Sequence, residues 1–342
     1  MPVTSRTAVL GRRRLSKLSL GVALSTAALV AASCSSGGKS TTSGPATAPL
    51  TGLVVPSVNQ RPALSIKVDN SPPGLPQSGL DKADIVTDAL VEGGLTRLLA
   101  TYQSQDATLV GPIRSARPVD AALLRQLGGG IFAYSGAAAG EIAPVKAQST
   151  ATLLSFDAGI SAFKQLPGHP VPFQVYASTT DLYAAGEKAG ASTSPPKPIF
   201  TYNAAVPKGS SGVTARIPMS NISTVTWTWD PTTQKYLRTQ NGKADVLSNG
   251  SRISATDVVV LSTAIGPTGI FDSAGNEDPL VIVVGSGPAA VLRNGQVITG
   301  TWTRNTITDT MKLTDSTGAT IALQPGPSWI ELQPRPLTPA IS

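Results

Sequence analysis

The 342-residue chain is expected to fold as an α+β protein: an N-terminal α/β domain with a mixed sheet, followed by a mainly antiparallel β domain. Three observations predict this. Over residues 61–190, short β-branched runs alternate with helical patterns. Over residues 213–335, only short strand patterns occur, with turn signals between them. Gly (33) and Pro (28) are abundant and charged residues are 14%, which favours turns and short strands over long helices.

Residues 1–34 divide as an export signal divides. Arg12, Arg13, Arg14 and Lys17 form a charged front. The Ala-rich apolar stretch 18–30 is shorter than the roughly 20 residues that a spanning helix needs. Ala31-Ala32-Ser33-Cys34 resembles a bacterial lipobox, with Ala where Leu is commoner three places before the cysteine. Cys34 is the lipidation site this implies. A thiolate is the nucleophile that takes the diacylglycerol, and two acyl chains anchor stably where one is marginal. The alternative is ordinary signal-peptidase cleavage beside a chance cysteine, with the mature protein released. Arg13-Arg14-Leu15-Ser16-Lys17 partly matches a twin-arginine signal, so the export route stays open between the two systems. The chain is expected on the bacterial cell membrane, lipid-anchored and facing the extracytoplasmic side. With Cys34 lipidated, no cysteine remains for a disulfide, and the core alone must hold the fold.

The formal charge of +7 falls to +2 once the five leader cations are removed. A nearly neutral mature chain without a basic patch is not a nucleic-acid binder. Residues 35–60, rich in Ser, Thr, Gly and Pro, read as a flexible tether.

In the N-terminal domain, residues 63–68 form a β-rich run that Ser71-Pro72-Pro73-Gly74 breaks. Residues 84–91 and 96–103 read as a hairpin across Glu92-Gly93-Gly94-Leu95. Pro118 opens a helix over 119–127 that Gly128-Gly129-Gly130 ends. A buried strand at 131–135 and helices at 139–148 and 179–189 follow. Residues 191–212 read as a linker. In the C-terminal domain, 224–230 alternates Val225, Trp227 and Trp229 with threonines. Strand patterns recur at 236–239, 258–261, 280–284, 290–293, 297–302, 311–313, 321–323 and 329–332. Asn294-Gly295 is the strongest hairpin signal. Residues 336–342 are a tail. The four tryptophans read as β-core packing rather than a sugar-stacking platform.

The stretch 61–117 concentrates polar groups among short apolar runs, and such groups are costly to bury unless they pair or meet a ligand. The binding candidates are Asp69, Asn70, Gln77, Ser78, Glu92, Arg97, Arg114, Ser115 and Arg117. Arg97, Arg114 and Arg117 can converge on an anion, because a guanidinium fork suits phosphate or carboxylate. The competing reading pairs them with Asp69, Asp84 and Glu92 as a structural network.

RPALSIKVDN, LPQSGLDKADIVTDALVEGGLTRLLATYQS and VGPIRSARP resemble the N-terminal signature of the YerB-like lipoproteins, a family without an assigned function. TWTWDPTTQKYLRTQNG, VVVLSTAIGP, VVGSGPAAVLRNGQVITGTWTR and IALQPGPSWIEL resemble its C-terminal signature. The resemblance runs over residues 50–334 and implies a two-domain, membrane-anchored extracytoplasmic protein, with no reaction attached. Where family members tend to read Pro-His-Asn before a Tyr, this chain reads Pro172-Phe173-Gln174-Val175-Tyr176, which argues against a shared histidine base.

Other chemistry is weakly supported. One histidine and one cysteine exclude the usual zinc sets, and no calcium loop occurs, so no metal and no cofactor are expected. Gly285-Ser286-Gly287-Pro288-Ala289-Ala290 matches a dinucleotide fingerprint, but a second strand follows it instead of a helix, so it reads as a glycine-rich turn. No serine elbow is present. The reading is therefore a non-enzymatic lipoprotein whose polar cleft binds an anionic envelope ligand or a partner protein. The alternative is a cell-wall glycan- or peptide-acting enzyme with Asp69 and Glu92 as its acid and base.

Overall fold

The computed structural model describes residues 45–342; the leader and Cys34 lie outside the described residues. Hydrophobic runs at strand spacing become a single mixed sheet of twelve strands. Its members from the N-terminal half are β1 (Leu64–Asp69), β2 (Ile85–Leu90), β3 (Thr96–Tyr102), β4 (Ile131–Tyr134) and β5 (Thr152–Ser155). Between them lie α1 (Val119–Gln126) and α2 (Ala139–Gln148), and α3 (Thr179–Lys188) follows. The C-terminal half supplies β6 (Thr214–Pro218), β7 (Thr224–Asp230), β8 (Lys235–Gln240), β9 (Asp257–Phe271), β10 (Glu277–Ile282), β11 (Gly285–Arg293), β12 (Gln296–Arg304) and β13 (Ser328–Pro334).

The large sheet reads β12-β11-β9-β13-β2-β3-β1-β4-β5 along its main path, so strands of both halves share one hydrogen-bonded layer. The seam is β13 beside β2, a parallel pair. β9 also pairs with β13 in parallel. The C-terminal half is therefore not purely antiparallel, although its hairpins are. β6, β7 and β8 form the body of a separate six-stranded antiparallel sheet. Its apolar face, with Trp227 and Tyr236, packs on the same core as Val68, Val258 and Trp329. The opposite face of the large sheet is covered by α1 and α2, through Val119, Leu123, Leu124 and Val145.

Local chemistry explains the boundaries. Gly93 and Gly94 take φ of 67° and 75° in the β2–β3 connection, and Asn294 and Gly295 take 52° and 70° in the β11–β12 hairpin, as a two-residue turn requires. Gly130 has a positive φ, and a Cβ there would meet the Ala63 carbonyl at 2.2 Å, so the run of glycines that ends α1 also lets β4 enter beside β1. Gly285–Ala290 is the first part of β11, not a turn. Residues 46–55, read above as tether, form a small hairpin. Leu50 is buried there, and its carbonyl accepts the Tyr202 hydroxyl at 2.6 Å. The buried Leu50 side chain and the Tyr202 hydroxyl dock this segment on the rest of the fold. Among the described residues no helix is long and apolar enough to cross a membrane.

β9 is fifteen residues long. Its first part lies in the large sheet, and residues 264–271 continue beyond it with β10 as a two-stranded arm. The tip of that arm reaches the turn that carries Glu92, where Asn276 Nδ2 comes within 3.7 Å of the position a Cβ on Gly93 would take.

Candidate functional site

β1 ends at Asp69, whose register partner on β3 is Arg97. The next residues turn sharply at Pro72–Gly74, and this turn pins the carboxylate: Asp69 Oδ1 accepts from the Ser71 N–H at 2.7 Å and the Ser71 hydroxyl at 2.5 Å. A Cβ on Gly74 would fall 2.4 Å from Asp69 Oδ1, so the glycine makes room for the acid. Arg114 donates from Nη1 to Asp69 Oδ2 at 3.0 Å, and its guanidinium carbon lies 4.8 Å from the Phe173 ring centroid. Arg97 donates from Nη2 to Glu92 Oε1 at 3.0 Å, while its buried Nη1 has no acceptor. Asp69, Glu92, Arg97, Arg114 and Phe173 line a pocket of about 490 Å3, and Asp272 and Asn276 of the arm tip line it from the other half.

Behind that wall Arg117 is fully engaged. It bonds Glu92 through Nε at 3.0 Å and through Nη2, and lies 3.2 Å from both Glu141 and Asp278. The three carboxylates approach within 4.8 Å of one another. They are the residues that could hold a cation, but the Arg117 guanidinium already sits among them and supplies the positive charge. Lys67 and Asp120 form a fully buried pair at 2.8 Å, and the other oxygen of Asp120 accepts the Arg117 N–H at 2.7 Å. The first turn of α1 thereby fixes the arginine's backbone.

Protonation follows from this packing. Burial alone would raise the Glu92 carboxyl, yet hydrogen bonds and charge from Arg117 and Arg97 outweigh it and hold it at about 2. Asp278 is pushed up to about 7 by burial, opposed by Arg117 and reinforced by Glu92 and Glu141. Burial, then the charge of Arg117, brings Arg97 down to about 10, still a cation at neutral pH.

Of the nine sequence-derived candidates, Asp69, Glu92, Arg97 and Arg114 meet at the pocket. The other five do not line it. All three arginines make ion pairs of the competing structural reading, Arg97 and Arg117 with Glu92 and Arg114 with Asp69; Arg117 is wholly spent in them, while Arg97 and Arg114 also line the pocket. Asn70 bonds Thr96 at 2.7 Å and Gln77 at 2.9 Å inside the protein. Ser78 pairs with Ser248 at 2.7 Å. Ser115 lies against Gly136. Asp84, offered as an arginine partner, instead accepts from Ser104. Asn70 and Gln77 belong to a second buried network centred on Arg238, which bonds Asp88 at 2.7 Å and Asp245, and lies 3.9 Å from Glu331. No local pattern marks Glu141, Asp272, Asn276 and Asp278, which converge only through the arm and α2, and Phe173 reaches the pocket from the segment before the strand Val175–Ala177. Asp120 had a visible signal, an acid in the first turn of a helix. Trp227, Trp302 and Trp329 are core, and half-buried Trp229 packs on Tyr236; Trp227 donates to Glu331 and Trp302 to the Ser262 carbonyl, both at 2.9 Å.

A mixed sheet shared by two halves, with an arginine- and carboxylate-lined pocket, defines a two-part α+β protein with a polar recess. The chain belongs to the family described as protein of unknown function DUF3048: its N-terminal domain matches residues 50–192 and its C-terminal domain residues 215–330. It is 28% identical over 301 residues to YerB of Bacillus subtilis (strain 168), named as a candidate lipoprotein, covering 84% of this chain and 86% of that one. The crystal structure of YerB from Bacillus subtilis superposes with a TM-score of 0.74 at 26% identity, covering 87% of this chain and 99% of that one.

Proposed function

We propose that this chain is a lipid-anchored extracytoplasmic protein that binds an anionic envelope component, or an acidic group on a partner protein, in the pocket of Asp69, Glu92, Arg97 and Arg114. The leader and Cys34 supply the address, and the name of the Bacillus subtilis relative agrees with it. One observation carries the binding role. Arg97, 7% exposed, lines the pocket with a buried Nη1 that has no acceptor, beside an Arg114 whose only described side-chain hydrogen bond goes to Asp69. A guanidinium donor left without an acceptor is expensive, and an incoming carboxylate or phosphate oxygen would supply what is missing.

The enzyme reading loses ground on the same chemistry. Glu92 is held ionised at about 2 and has no proton to give as a general acid. Asp69 already accepts three hydrogen bonds.

The test is retention of envelope components by the immobilised protein. Arg114→Ala should keep the fold, because Asp69 retains both Ser71 bonds, and should weaken retention about tenfold, the loss of one charge-assisted hydrogen bond or more. Unchanged retention by a folded Arg114→Ala variant would sink the reading.

A further inference from the structure

We infer a second, separate anion site: a small tetrahedral oxyanion of the phosphate or sulfate type, held in a cavity of about 180 Å3 where the turn Leu80–Lys82 meets the short strand Ser254–Ala255 and the start of β13. The wall carries two cations, Lys235 and Arg252, and neither has a carboxylate within ion-pair distance among the described residues. Asp81, the one acid in the wall, lies 3.9 Å from Lys82. Arg252 donates from Nη2 to the Arg238 carbonyl at 2.6 Å, but its Nε is buried without an acceptor. Two further wall residues share that condition. Trp329, 2% exposed, has an unpartnered Nε1, and Ser328, 3% exposed, has an unpartnered Oγ.

Buried donors without acceptors are rare in native proteins, and each calls for an explanation. Three residues of one cavity wall each carry such a donor, beside two cations without an ion-pair partner among the described residues, and together they are a donor set without an acceptor. That is the chemistry of an oxyanion site, and it fits neither a metal ion nor an apolar guest. Size narrows the class. A water takes about 30 Å3 in the liquid, so the cavity holds an oxyanion with a few waters and is too small for a nucleotide. The position gives it consequence. Trp329 is register-paired with Val86 of β2, and Lys235 opens β8, so an ion here would tie the N-terminal turn to both sheets of the C-terminal half.

The test is titration of the full chain in detergent with inorganic phosphate and with sulfate, followed by calorimetry and thermal melting. The expected result is saturable one-to-one binding that raises the melting temperature. Arg252→Lys, which keeps the charge and removes the Nε donor, should weaken it about tenfold, and Lys235→Ala, at an exposed position, should weaken it without unfolding the chain. Arg114→Ala should leave it intact, which separates this site from the pocket of the proposed function. Glycerol 3-phosphate sorts the source: tighter binding than inorganic phosphate marks the terminal group of a larger molecule, and weaker binding marks the free ion. The inference is overturned if neither ion binds saturably at millimolar concentration. It is equally overturned if Arg114→Ala abolishes binding while Arg252→Lys does not.

Discussion

Asp88 and Glu331 are register partners on the adjacent parallel strands β2 and β13, and both reach the guanidinium of Arg238 from the small sheet. All three side chains are fully buried. Burial raises both carboxyls, and the charge of Asp88 raises Glu331 further. The seam between the halves is thus an ion cluster in which the arginine is indispensable and one carboxylate is surplus. Arg238→Leu should cost about 3–5 kcal/mol, because it strands uncompensated acids. Glu331→Gln should cost less than about 1 kcal/mol, since the amide oxygen still accepts from Trp227. Urea unfolding of the two variants at pH 7 checks the ordering, and equal losses would refute it.

Arg117 should behave as a structural residue and Arg114 as a binding one. Arg117→Ala leaves Glu92, Glu141 and Asp278 facing one another without their shared cation. We expect a loss of about 3 kcal/mol or more, against about 1 kcal/mol for the partly exposed Arg114→Ala. Denaturant midpoints distinguish the two, and a stable Arg117→Ala variant would contradict the internal role.

Asp278 should make the attachment of the arm sensitive to pH. Its folded value of about 7 lies above an unfolded value near 3.9. The native state therefore holds the extra proton. The resulting stability is complete below about pH 4 and is lost as pH rises through about 7. Asp278→Asn should remove this part of the slope and stabilise the protein at pH 8 by on the order of 1–2 kcal/mol, less than the full shift implies because the amide gives up the charge interaction with Arg117. Chemical denaturation from pH 4 to 8 measures it. A difference between variant and parent that stays flat across this range would exclude the assignment.

On the proposed lipidation of Cys34, Cys34→Ser should move the protein from the membrane to the soluble fraction, since the two acyl chains that would make anchoring stable would be lost with the thiol. Fractionation of cells expressing each form, followed by immunoblotting, gives the answer. Continued membrane partition of the serine variant would mean that another segment holds it.

Strands and helices of the N-terminal half were largely legible in the chain because each is set by near neighbours. Pro118 opens α1, three glycines close it, and Gly93-Gly94 turns β2 into β3. The short strands Thr152–Ser155 and Val175–Ala177 left no comparable trace, because four or three residues cannot establish a period. At the pocket, Asp69, Glu92, Arg97 and Arg114 could be named in advance, since all lie within one polar-rich stretch. Asp272, Asn276 and Asp278 could not.

Local order alone carried the expectation of an address at Cys34, and it determined the α/β-then-β succession of elements and the crowding of arginines and acids over residues 61–117. Only the folded chain decided which of those charges are spent. Arg117 is enclosed by Glu92 and by Glu141 and Asp278 from beyond that stretch, whereas Arg97 and Arg114, each paired to one acid, line a recess. The physical reason is that a side chain's charge is written in one residue, but its desolvation and its partner depend on distant strands brought side by side, and no stretch of sequence carries that distance.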